Sequence, residues 1–218
     1  DPGSNTAGNS HNYIAHCLIE QQRYPEAMAH IQQVLNWYNE YPFVVGRVLI
    51  HRAEILVRTY EYQLAVEELE RFLQGDDPLP TPWQQVEGRV LLAKAYRRLE
   101  EGGLYTGTAF WDALDIAEAI ARDNPEVIVY GLPLVIEERA AAYRNEHMYA
   151  SELEQWEKLL EANVSPSANF QAREQMALTY YHQGDLAPAV AEIEAVIADY
   201  PELPFWCQGA RHQLGIIY

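Results

Sequence analysis

The stretch Gln171–Phe205, QAREQMALTYYHQGDLAPAVAEIEAVIADYPELPF, reads as two short amphipathic helices broken at Gly184-Asp185 and stopped at Pro201. Met176, Ala177, Tyr180 and Tyr181 recur at the i, i+3/i+4 spacing of one buried helical stripe, and Ala189, Val190, Ile193, Val196 and Ile197 supply a second. Gly184 permits the turn. Asp185 can accept the free N–H groups at the start of the second helix, and Pro201 has no N–H with which to continue it. Ala177 is small enough to let two backbones approach, with Tyr180 filling the space beside it.

Working outward, the same unit recurs. Its first-helix small residue falls at Ala15, Ala53, Ala93, Ala140, Ala177 and Gly215, at intervals of 38, 40, 47, 37 and 38 residues. The expected units span about 11–42, 43–78, 82–125, 126–166 and 167–201, with a partial one at 203–218, after a flexible tail over 1–10. The first pair is expected as helices at roughly 11–21 and 24–40, closed by Pro42; Pro78, Pro125 and Pro166 close the next three. In the third unit the turn is enlarged to EEGGLYTGT, with Thr108 expected to cap the helix that follows. In the fourth, Pro133 either starts the helix or lies within a longer one. Two helices per period of about 35–45 residues predict an all-α, right-handed helical solenoid in which each pair buries its face against the next.

The order of small and large residues, as in Ala177, Tyr180, Ala189 and Pro201 or Ala53, Leu56, Tyr62 and Ala65, resembles the tetratricopeptide repeat, over nearly all of residues 11–218. The period is a few residues longer than the family's usual ~34, which is similar to the long-period members found in bacterial envelope-assembly and secretion proteins and in the sensor arms of signalling ATPases. The resemblance implies that the first helices of successive pairs line a concave groove that holds an extended peptide or a partner helix. Taking each small residue as an anchor, that groove would carry Asn12, His16, Arg47, Arg58, Lys94, Arg97, Arg98, Arg144, Tyr181, His182 and His212, interleaved with Glu20, Glu54, Glu87, Glu137 and Glu174.

A basic centre running from Arg58 through Lys94, Arg97 and Arg98 to Arg144 would grip an acidic segment or a C-terminal carboxylate, because the planar guanidinium makes paired hydrogen bonds to carboxylates. The alternative is that these cations pair with the neighbouring glutamates and only solvate the face. The chaperone-tail pattern of the family is not matched, since the corresponding positions hold Asn12, His16, Glu54, Glu87 and Leu91. A second candidate contact is the enlarged loop Gly102–Gly107, tipped by Leu104 and Tyr105. The tryptophans Trp37, Trp83, Trp111, Trp156 and Trp206 are expected mainly as wedges between helices.

The rest of the composition excludes classes of function. A formal net charge of −17 argues against nucleic acid, whose phosphates are neutralised by Lys and Arg. No apolar run approaches the ~20 residues of a transmembrane helix. Cys17 and Cys207, near opposite ends of the chain, are expected as small buried thiols, which suits a reducing, cytoplasmic compartment. There is no Gly-rich phosphate loop, no HExxH, no Cys-x-x-Cys and no serine in a nucleophile elbow, so no catalytic residue and no cofactor is expected. His11 and His16 are five apart and lie on different sides of a helix, so no metal site is expected there either. The last helix, with Leu214, Ile217 and Tyr218, presents an apolar stripe without the second helix that should cover it. The expectation is either that the chain is a fragment of a longer protein or that this end meets a partner end-on.

The reading is therefore a non-catalytic scaffold that binds a protein or peptide. Alternatives are a sensor or regulatory arm of a larger ATPase, transcriptional regulator or effector enzyme, and a lipid-anchored periplasmic subunit of an envelope-assembly or secretion machine whose tail begins at Asp1.

Overall fold

The computed structural model describes residues 5–75, 79–199, 208–212 and 215, and among them every regular element is a helix. The ten longest are α1 (Asn5–Glu20), α2 (Tyr24–Trp37), α3 (Pro42–Arg58), α4 (Tyr62–Gln74), α5 (Pro82–Glu101), α6 (Ala109–Asp123), α7 (Pro125–Asn145), α8 (Tyr149–Ala162), α9 (Pro166–Gln183) and α10 (Leu186–Asp199). They form two compact units, one up to Val127 and the other from Ile128. None of these helices is long and apolar enough to cross a membrane.

Prolines set where the odd-numbered helices after α1 begin. Pro42, Pro82, Pro125 and Pro166 each stand at the first position of a helix, where the missing N–H would have had no intrahelical partner. Of the prolines expected to close a pair, Pro42, Pro125 and Pro166 thus open the next helix, while Pro78 and Pro201 lie outside the described residues, and α2 already ends at Trp37. Pro133 lies inside α7, so the longer of its two expected settings is realised.

A shared backbone device ends the first helix of every pair. One or two residues past the helix end, the backbone adopts a left-handed conformation at Gln22, Tyr60, Gly103, His147 and Gly184. The next N–H then donates back five residues, from Arg23 to Leu18, Glu61 to Leu56, Leu104 to Leu99, Met148 to Tyr143 and Asp185 to Tyr180. This is the Schellman closure, which satisfies carbonyls that the helix end would leave orphaned. In four pairs the left-handed residue lies seven positions after the buried alanine, and in the third it lies ten after, because α5 runs on to Glu101, eight residues past Ala93, where α1, α3 and α7 end five past theirs.

The anchors themselves behave as the spacing predicts. Ala15, Ala53, Ala93, Ala140 and Ala177 are all fully buried. In the first unit α1 packs on α2 and α3, α3 on α4 and α5, and α5 on α4 and α6. Ile19, Ile31, Val34, Val44 and Val48 belong to the core at its start. In the second unit Leu132, Ile136, Trp156, Leu159 and Met176 form one cluster, while Phe170, Ile193 and Val196 belong to another.

Several expectations are corrected. The tail expected over 1–10 is helical from Asn5, because Gly8 is buried against the Tyr38 ring, where an added Cβ would sit 3.2 Å from Cγ, and Ser10 Oγ donates to the Thr6 carbonyl at 2.9 Å. Cys17 is exposed, since the buried stripe of α1 runs through Ala15, Leu18 and Ile19 and leaves it outside; Cys207 lies outside the described residues. Thr108 occupies the N-cap position of α6, but its hydroxyl donates to Asp112 instead of accepting from the backbone. Trp156 is a buried wedge, whereas Trp37, at the very end of α2, is 75% exposed. Gly215 is exposed, and Leu214, Ile217 and Tyr218 lie outside the described residues.

Candidate functional site

Three odd-numbered helices of the first unit present equivalent positions side by side. His16, Glu54 and Lys94 each follow a buried alanine by one residue, and Glu20, Arg58 and Arg98 follow it by five, so α1, α3 and α5 carry them on matching faces. Arg47 and Glu87 stand seven residues, two helical turns, before Glu54 and Lys94. Ion pairs stitch the helices along this face. Arg58 Nη2 donates to Glu20 Oε1 of α1 at 2.7 Å and to Glu54 Oε1 of its own helix at 2.6 Å. Arg47 Nη1 of α3 donates to Glu87 Oε2 of α5 at 2.7 Å.

Beside these pairs, His16 of α1 and His51 of α3 stack with ring centroids 5.3 Å apart and planes 27° from parallel. His16 is exposed, while His51 is only 2% exposed and neither of its ring nitrogens has a hydrogen-bond partner. Its Nδ1 lies 3.7 Å from Glu54 Oε2, longer than a hydrogen bond. Leaving one buried polar group unsatisfied costs about 1–3 kcal/mol, so this imidazole is held in place against its own chemistry. Burial pushes the Glu54 carboxyl up, but the His51 imidazole and the Arg58 guanidinium more than offset it and hold it below the usual carboxylate range. Glu87 goes the other way: burial raises it, and Arg47 only partly compensates.

The remaining groove candidates separate. Lys94 is half-buried on the same face of α5 as Glu87, and Arg98, half exposed, pairs with Glu101 at 2.7 Å. Arg97 turns instead toward α6, with its guanidinium carbon 5.8 Å from the centre of the Phe110 ring. Arg144 belongs to the second unit and is structural in its contacts. Its Nε donates at 2.6 Å to Glu152 of α8, which is fully buried, and its Nη2 donates at 2.9 Å to Gln175 of α9. Tyr181 and His182 are exposed neighbours at the end of α9, their rings 6.0 Å apart. In the loop, Leu104 is 78% exposed, but Tyr105 folds back onto Tyr96 with ring centroids 5.0 Å apart. Tyr105 follows its left-handed glycine by two residues, as Tyr24, Tyr62 and Tyr149 follow Gln22, Tyr60 and His147, but those three begin the second helix of their pairs, whereas α6 begins only at Ala109.

Two features escaped the sequence. His51 lies two positions before its alanine anchor, outside the set expected to face the groove, and the only signal for it is a second histidine on the adjacent odd-numbered helix. A cleft of about 210 Å³ between α4, α5 and α6 is lined by Glu70, Arg89, Tyr96 and Asp112. There the Tyr96 hydroxyl donates to Glu70, and burial lowers the pKa of the Arg89 guanidinium. Compared with protein-family models, with curated proteins and with solved structures, the chain has no match.

Proposed function

We propose that this chain is a tetratricopeptide-like helical solenoid acting as a non-catalytic scaffold, and that it holds a protein or peptide against the face made by α1, α3 and α5. The observation that carries this reading is the alignment of charged side chains on successive odd-numbered helices, with Arg58 bridging α3 to α1 and Arg47 bridging α3 to α5. The recurrent buried alanine and the repeated Schellman closure support the repeat assignment. A face of this kind recognises by exchange. Partly exposed ion pairs contribute only about 0–1 kcal/mol, so a partner carboxylate can replace Glu101 on Arg98 or join Lys94 at little cost. An acidic segment suits the cations, and the surrounding glutamates set its register and disfavour other charges.

The test is affinity capture from the native host with the wild-type chain beside Lys94→Glu/Arg98→Glu. Arg97 is left intact because of its place over Phe110. Loss of a partner from the double variant, with unchanged far-UV circular dichroism, supports the groove. Identical partners on both chains would remove this face as the binding surface and leave Leu104 as the next contact to vary.

A further inference from the structure

We infer that His16, His51 and Glu54 form a binding site for a divalent transition-metal ion of the zinc type, clamping α1 to α3. One ligand atom from each of the three residues lies within 4.8 Å of the others. A tetrahedral zinc ion with bonds of about 2.0–2.2 Å holds its ligand atoms roughly 3.3–3.5 Å apart. Closing the difference takes a side-chain movement on the order of 1 Å, which exposed His16 is able to make.

The buried member of the set is what points to a ligand. His51 is shielded from water, and both of its ring nitrogens lack a hydrogen-bond partner. A buried group left in that state calls for an explanation, and an ion is one that suits a neutral imidazole beside a carboxylate. Glu54 is already oriented for the task. Arg58 holds its Oε1 at 2.6 Å and is itself held by Glu20 at 2.7 Å, which leaves Oε2 on the His51 side. Such outer partners fix ligand direction in known metal sites.

The charge balance also permits a cation: Glu20, Glu54 and Glu87 outnumber Arg47 and Arg58 around the two rings. Two imidazoles and one carboxylate match zinc, with a fourth position open on the exposed His16 side for water. The site stands independently of partner binding, because its ligands come from two helices of this chain alone.

The experiment uses the full chain, stripped with a chelator and titrated with Zn²⁺ by calorimetry and with Co²⁺ by visible absorption. The expected result is one equivalent whose affinity falls at least about ten-fold in His16→Ala and in Glu54→Gln. A tetrahedral Co²⁺ spectrum should vanish in both variants, and Zn²⁺ should raise the melting temperature of the wild type alone. His16 is exposed, so its removal tests the site without endangering the fold. His11 and His30, whose Nδ1 atoms are 2.8 Å apart, are the competing pair and are controlled by His11→Ala. The absence of Zn²⁺ binding overturns the inference, and so does binding that is unchanged in His16→Ala or is lost only in His11→Ala.

Discussion

Replacing Gly46 with alanine would ordinarily strengthen α3, since alanine favours the helix interior by about 1 kcal/mol over glycine. Here the sign reverses. A Cβ at position 46 would lie 2.6 Å from Gln84 Nε2 and 2.9 Å from both Cδ and Oε1. Gln84 cannot simply swing aside. It is 1% exposed, its Nε2 donates to the Phe43 carbonyl at 2.9 Å, its Oε1 accepts from Thr81 N–H at 3.0 Å, and its own N–H donates to Thr81 Oγ1 at 3.3 Å. Displacing the amide forfeits half of the capping box that starts α5, about 1 kcal/mol, and strands buried polar groups at about 1–3 kcal/mol. Against the propensity gain, Gly46→Ala should destabilise by about 1–3 kcal/mol. Urea unfolding followed by circular dichroism measures it. The decisive arm is Gln84→Ala, in which the amide is gone and Gly46→Ala should stabilise by about 0.5–1 kcal/mol. An alanine at 46 that stabilises both backgrounds, or destabilises both equally, would refute the steric link between α3 and α5.

Tyr60 adopts a left-handed φ of 68° and is 79% exposed, so Tyr60→Gly should stabilise by about 0.5–1 kcal/mol; an unfolding midpoint that falls instead would contradict the closure described for that turn. Arg144→Ala strands the fully buried Glu152 and should cost about 3–5 kcal/mol, most of it recovered in Arg144→Met/Glu152→Leu, as read by denaturant unfolding; a small single-variant effect would argue against the buried pair. The His11 pKa is depressed by burial and by the neighbouring His30. The unfolded chain therefore takes up the proton first, so stability is full above about pH 6.5 and is lost as pH falls below it. Melting temperatures at pH 7.5 and 5.5 should differ more for the wild type than for His11→Phe, and equal differences would exclude this pair as a source.

The backbone plan was legible because it rests on local chemistry. Buried alanines act within a helix or between adjacent ones, so Ala53 announces its role by spacing alone, whereas a proline such as Pro42 marks a boundary without saying on which side of it the helix lies. The start of α1 was not legible, since Asn5–Ser10 has no apolar stripe and its order comes from Gly8 meeting Tyr38, more than one helix away. The candidate face was legible in part. Helical spacing placed Arg58 and Glu54 on one side of α3, yet the same spacing could not separate Arg97 from Lys94, because only the docking of α6 draws Arg97 onto Phe110. His51 stayed hidden for a related reason: the ring stacked against it, His16, comes from another helix, α1.

The repeated Schellman closure carries a kinetic consequence. Each turn is defined by bonds spanning five residues or fewer, such as Glu61 N–H to Leu56 and Tyr60 N–H to Val57, so a helix hairpin can form before any contact with the next pair. Contacts this local keep loop-closure entropy small and favour fast folding. Links between odd-numbered helices, such as Arg47 with Glu87, 40 residues apart, belong to a later step. Changes at Tyr60 should then move the folding rate, whereas changes at Gly46 or Gln84 should act mainly on the rate of unfolding.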